Sequence, residues 1–253
     1  MREEKRMTEL GRVSEITRYP VKSMAGMPAT EAVLGWHGLE GDRRFGFRRV
    51  GDSSGFPFLT ASRLPALVLY RPVAYDESTE GMLATGVRTP GGSVVALGSP
   101  ELKSEISDRA GESVELMQLK HGIFDEGAVS VITPATIDGV GREAGFRLDR
   151  RRFRANIVVE TGSGHPFLED AWVGHELQFG ESDSGAAALV TLRDERCVMV
   201  NIDPDTGEKD ARVMKAVVRL NNNFAGVYAT AIRRGSIRVG DPVFLNTRAP
   251  GLV

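Results

Sequence analysis

The chain has 253 residues, of which 41% are hydrophobic and 26% charged, and its 32 basic and 34 acidic side chains leave a net charge of −2. That balance gives no general attraction for nucleic acid or an anionic membrane surface, and no apolar run approaches the roughly 18 residues of a membrane-spanning helix. The opening MREEKRMTEL lacks a secretory core and reads as a frayed tail, and a single cysteine fits a reducing, cytoplasmic compartment.

Most segments read as strands. GRVSEITRYPV alternates through Val13, Ile16 and Val21 and stops near Pro20. DRRFGFRRV places Phe45 and Phe47 on one face, with Arg44, Gly46 and Arg48 on the other. ALVLYRPVAY is a buried-type run, and GGSVVALG, FRANIVVETG and AALVTLRDE continue the pattern. VYATAIRRGSIRVGDPVFL reads as two strands around a turn at Arg234-Gly235, followed by a terminal strand. The loop-rich stretch over 75–100 is the expected boundary, giving an N-terminal unit over 11–97 and a C-terminal unit over 98–247.

Three segments read as helices. SPELKSEISDRAG starts at Ser99-Pro100 and stops at Gly111. TPATIDGVGREAG has Thr133 as N-cap, Pro134 in the first turn and Gly145 as stop. DARVMKAVVRLNNN puts Val213, Ala216, Val217 and Leu220 on one face. The fold class is therefore mainly β with a few helices, and barrel-like.

Three polar elements can hold an anion. Lys22 and Ser23 in RYPVKSMAG follow a strand end, and an ammonium with nearby backbone N–H groups suits a phosphate. Arg43 and Arg44 in GDRRF point to opposite faces of a strand, so one can face a pocket. Arg154 and Asn156 in DRRRFRANIVVE lie two apart and share a strand face, a clamp for a phosphate or a heterocycle edge. Each also suits a solvated turn or a charged edge strand.

Cys197, the one cysteine, follows Arg196 in DERCVMVNIDPDTGE. Alone it is a spare apolar side chain, a nucleophile or a soft-metal ligand. No CxxC, HExxH, GxSxG or phosphate-loop pattern is present, and His37, His121, His165 and His175 are scattered.

The order YPVKSMAG, GLEGDRRF, FLTASRLPAL, FRANIVVE, FLEDAWVG, ERCVMVNIDPDTGE and GSIRVGDPVFL resembles the MOSC family, over roughly residues 11 to 246. The family is named for the C-terminal domain of molybdenum-cofactor sulfurase. The resemblance implies an N-terminal β-barrel-like domain packed on a MOSC β-barrel. It also implies molybdenum bound by molybdopterin, a phosphate-bearing pterin.

By the same resemblance, Cys197 is the metal ligand and catalytic thiol. Lys22, Ser23, Arg43, Thr133, Arg154, Asn156 and Arg196 are cofactor contacts, with Thr133 at a helix N-terminus. The implied activity is reduction of N-hydroxylated or similar oxo-transfer substrates. Electrons would come from a separate flavin, haem or iron–sulfur protein. The alternative is a non-catalytic cofactor carrier or sulfur-transfer module using Cys197. The partner expected is a small-molecule substrate, with no nucleic acid and no membrane. Ala155 stands where relatives carry proline, and Asn201 where they often carry threonine.

Overall fold

The computed structural model describes residues 6–76, 83–122, 126–182 and 184–247. Its first strands are β1 (Arg6–Arg18), β2 (Met27–Ala29), β3 (Glu31–Gly35), β4 (Gly38–Leu39) and β5 (Phe45–Arg49). β6 (Arg71–Asp76), β7 (Leu83–Arg88) and β8 (Val94–Ala96) lead to helix α1 (Pro100–Ala110) and β9 (Val114–Gln118). β10 (Val129–Ile132), helix α2 (Pro134–Ala144), β11 (Ile157–Thr161), β12 (Glu176–Phe179) and β13 (Ala187–Glu195) follow. The chain finishes with helix α3 (Ala211–Asn221), β14 (Phe224–Arg233), β15 (Gly235–Arg238) and β16 (Pro242–Thr247).

The largest sheet runs β11-β10-β14-β13-β12-β16-β1-β2, and an added β1–β11 pairing closes seven of these strands into a barrel. Closure removes the exposed edges that an open sheet would offer to other chains. Inward residues fill the barrel, among them Val13, Ile16, Val131, Ile157, Trp172, Leu177, Val190 and Val227. A second core lies under the sheets β5-β9 and β6-β7-β8, where Phe47, Leu59, Tyr70, Leu102 and Ile106 meet. A third seats α2 and α3 on the barrel through Ile137, Val140, Phe153, Val213 and Val217. The mainly β architecture with a few helices is as the sequence indicates.

The first two helices have the expected caps. Ser99 Oγ accepts from Leu102 N, Thr133 Oγ1 accepts from Thr136 N, and Gly111 and Gly145 close α1 and α2 in left-handed conformation.

Other expectations need correction. Arg6 to Glu9 are not a frayed tail but pair with β16. Pro65–Leu69 form a 3-10 turn rather than a strand, because Pro65 sits in its first turn, and the next strand begins only at Arg71. Leu220 is exposed, so the apolar face of α3 ends at Val217. Arg43 and Arg154 precede β5 and β11 rather than lying in them. The expected boundary stretch falls partly on 77–82, outside the described residues.

Candidate functional site

A cavity of about 380 Å³ lies between the barrel and the β5-β9 region, and Lys22, Ser23, Arg43, Arg154, Arg196 and Cys197 all line it. Three loops bring these residues together, at 22–23, at 43 and at 152–154, and the thiol comes from the segment after β13. Five cationic side chains line the cavity against three acidic ones. Thr60, Ser62 and Ser130 add hydroxyls.

Backbone conformation marks the same place. Among the described residues, six non-glycine residues adopt positive φ, and three line this cavity: Ser23 at 67°, Arg43 at 47° and Arg154 at 51°. Each left-handed residue costs on the order of 1 kcal/mol or more, and such strain collects where a side chain must be aimed.

Asp42 and Tyr19 hold the arginines. Asp42 Oδ1 accepts from the Tyr19 backbone N–H at 2.5 Å, and the other carboxylate oxygen accepts from Arg43 Nη1. Arg43 Nη1 also donates to Asn156 Oδ1 at 3.1 Å, and Nη2 to the Arg154 carbonyl at 3.3 Å. The buried Tyr19 ring faces both guanidinium groups, 5.2 Å from Arg43 Cζ and 4.2 Å from Arg154 Cζ. Burial raises the Tyr19 phenol pKa, against the lowering effect of Arg154 and Arg43, so the ring remains a neutral platform. Arg154 Nη1 donates to the Met24 carbonyl at 2.6 Å, tying the third loop to the first. Lys22 is buried with Nζ 4.8 Å from the Phe56 ring centroid, and Ser23 Oγ lies 4.0 Å from Met199 Sδ.

Cys197 is an exposed free thiol on the cavity wall, so it is not a buried core residue. Arg196 turns away from solvent: Nε donates to the Ala225 carbonyl at 2.6 Å and Nη1 to the Phe153 carbonyl at 2.7 Å. Its Nη2 lies 2.9 Å from Asp194 Oδ2 as an ion pair. Arg196 thus contributes positive charge and fixes the chain that carries the thiol.

Two expected contacts lie elsewhere. Thr133 does not line the cavity; its backbone N–H and hydroxyl donate to the buried Glu169 carboxylate at 3.3 and 3.0 Å. The start of α2 is already met by a carboxyl group of the chain's own, whose pKa burial raises. Asn156 stands one layer back, accepting from Arg43 Nη1 and from the Ser130 backbone N–H and donating to the Thr17 carbonyl. It positions Arg43.

Sequence reasoning missed Tyr19, Asp194, Ser130, Tyr228 and Arg152. Arg152 lines the cavity and donates to the Asn201 carbonyl at 2.8 Å and to Asp203 at 2.7 Å. It anchors the DPDTG turn against the site. Only the arginine density of 150–154 hinted at it.

The donor set fits a phosphate-bearing ligand with a soft metal: arginine forks and hydroxyls suit phosphate, and an exposed thiol suits the metal.

Fold and site together define a β-barrel protein with a cation-rich, thiol-bearing cavity. The MOSC domain matches residues 118–244 and the MOSC N-terminal beta barrel domain matches 10–129, and the chain belongs to the MOSC family. It is 25% identical to mouse mitochondrial amidoxime-reducing component 1, over 96% of this chain and 85% of that protein. The human mitochondrial amidoxime reducing component 2 is also 25% identical, with 96% and 86% covered. Among solved structures, the YuaD protein from Bacillus subtilis aligns with 97% of this chain and 100% of its own at a TM-score of 0.53. At 16% identity that likeness concerns the fold alone.

Proposed function

We propose that the cavity holds the molybdenum cofactor and that the protein reduces N-hydroxylated compounds with electrons from a separate donor protein. The observation that carries this reading is convergence. Residues separated by most of the chain length, from Lys22 to Cys197, line one cavity. When bound, the cofactor supplies the two-electron oxygen-abstracting chemistry.

The protein's own residues bind and orient. Lys22, Ser23, Arg43 and Arg154 take the phosphate end, as a point charge, a hydroxyl and two forks. Cys197 presents the metal ligand. Tyr19, Asp42 and Asn156 hold the arginines in place. Relatives named for amidoxime reduction support the substrate class. The electron donor is a flavin, haem or iron–sulfur protein.

The exposure of Cys197 supports a second reading, a cofactor carrier or sulfur-transfer module in which the thiol bears a persulfide. One experiment separates them. The chain and Cys197→Ser are expressed in a host that makes the cofactor. Molybdenum is measured by elemental mass spectrometry, pterin by fluorescence and amidoxime reduction with a chemical donor. The expected result is near-stoichiometric metal, pterin and turnover in the wild type, and loss of metal and turnover in the variant. Cofactor without turnover favours the carrier. Neither metal nor pterin in the wild type rejects both readings.

A further inference from the structure

A carboxyl group sits in the wall of a cavity whose other features attract anions. Asp194, near the end of β13, is 1% exposed and yet lines the cavity. Its Oδ2 accepts from Ser130 Oγ at 2.8 Å and faces Arg196 Nη2 at 2.9 Å. The Tyr228 side chain hydrogen-bonds to it as well. Ser130 and Tyr228 are direct partners across the β10–β14 pairing, and both line the cavity. The barrel register therefore places a carboxyl and two hydroxyls as one connected group between adjacent strands and the cavity.

A fixed negative charge here would weaken binding of any phosphate or metal oxyanion, so attraction for the ligand does not account for Asp194, which is held instead by its ion pair with Arg196. Burial pushes its pKa up to about 6, against the lowering influence of Arg196, Ser130, Arg43 and Tyr228. A carboxyl in that range exchanges protons near neutral pH. A hydroxyl both donates and accepts, so Ser130 and Tyr228 can pass a proton between the carboxyl and the cavity.

Reduction of an N-hydroxylated compound consumes protons: R–NH–OH with two electrons and two protons gives R–NH2 and water. We propose that Asp194, acting through the Ser130 and Tyr228 hydroxyls, is the proton store of this cavity and supplies one of those two protons. The proposal rests on the reductase reading above. The N–O bond breaks, and the separate donor protein provides both electrons. One proton completes the water and the other completes the amine. Asp194 delivers the first, solvent supplies the second, and solvent then reprotonates Asp194. It is a proton-holding residue that acts through the two hydroxyls.

The test uses the holo-protein as wild type, Asp194→Asn, Asp194→Glu and Tyr228→Phe. Reduction of an N-hydroxylated amidine with a chemical one-electron donor is followed from about pH 5 to about pH 8. The protonated-carboxyl band is titrated by infrared difference spectroscopy on the same samples, and molybdenum and pterin are quantified in each. The wild-type rate falls as pH rises through about 6, and the band disappears with the same midpoint. Asp194→Asn loses the band and the pH dependence, and is slower by about 100-fold. Asp194→Glu regains both in part. Tyr228→Phe keeps the band but is slowed. The proposal is overturned if Asp194→Asn keeps the wild-type pH profile, or if no wild-type band is lost in that variant. A wild type without metal or pterin rejects the reductase reading instead, and the infrared titration then decides alone whether Asp194 stores a proton.

Discussion

Ser23, Arg43 and Arg154 show how much conformational cost gathers around one cavity. Ser23→Gly should relieve a left-handed serine and raise stability by roughly 1 kcal/mol, while removing a hydroxyl from the cavity wall. The expected outcome is a higher Tm with lower pterin content, read by calorimetry and fluorescence. Tyr19→Leu should keep the fold but loosen both guanidinium groups stacked on the ring, lowering cofactor retention more than stability. Asp194 also carries a stability signature. Its folded pKa, about 6, lies above the ordinary carboxylate value, so the folded state binds more protons than the unfolded state in between. Stability contributed by this group is full at low pH and is lost as pH rises through about 6. Urea titrations should show wild type losing about 2–3 kcal/mol over that window, and Asp194→Asn a flatter profile. Cys197, Lys22 and Arg43 were legible because their neighbours form short, distinctive motifs. Asp194, Ser130 and Tyr228 were not, because a single polar residue within an apolar strand carries no sign of what stands opposite.

Helix ends were the most legible elements. Ser99, Thr133, Gly111 and Gly145 are local signals, and each cap depends on residues three or four positions away. α3 adds a testable case. Asp210 caps it by accepting from Arg212 N at 3.0 Å, and the Arg212 guanidinium, followed by that N–H, holds its carboxyl down at about 2. Asp210→Ala should cost about 1 kcal/mol, seen as a lower urea midpoint with unchanged slope. The apolar run ALVLY misled, because a short run has no period of its own and Pro65 decided the outcome. The aim of Arg154 misled too: Arg154 and Asn156 were expected on one strand face, whereas a left-handed turn points Arg154 at Met24. In β14, Gly226 has φ +87°, and a Cβ there would approach the Val131 carbonyl oxygen at 2.8 Å and Arg196 Nη2 at 3.0 Å. Gly226→Ala should destabilise by about 1–3 kcal/mol and displace Arg196, so thermal melts and metal content should fall together.

At the scale of the molecule, strand pairings join the two ends of the chain. β1 pairs with β11 and β16, β3 with β15, and β5 with β9. A fragment of residues 98–247 would lack β1, and the barrel would be left with two open edges. That fragment should be insoluble or lack a cooperative transition, and the intact chain should unfold in a single one, by circular dichroism and fluorescence alike. None of this order can be read from spacing, because pairing partners far apart in sequence leave no local trace. Among the described residues, no helix is long and apolar enough to cross a membrane.

The closure of the barrel by its first strand has a consequence for synthesis. A ribosome releases β1 long before β16, its neighbour over Arg6–Arg12. Until β16 emerges, β1 therefore waits with that edge unpaired, where chaperones and stray strands compete for it. Tyr228 and Cys197 also emerge late, so the cavity cannot exist on a partial chain. Its ligand must be inserted into a finished barrel, so a ligand-loaded molecule is one in which β1 and β16 have met.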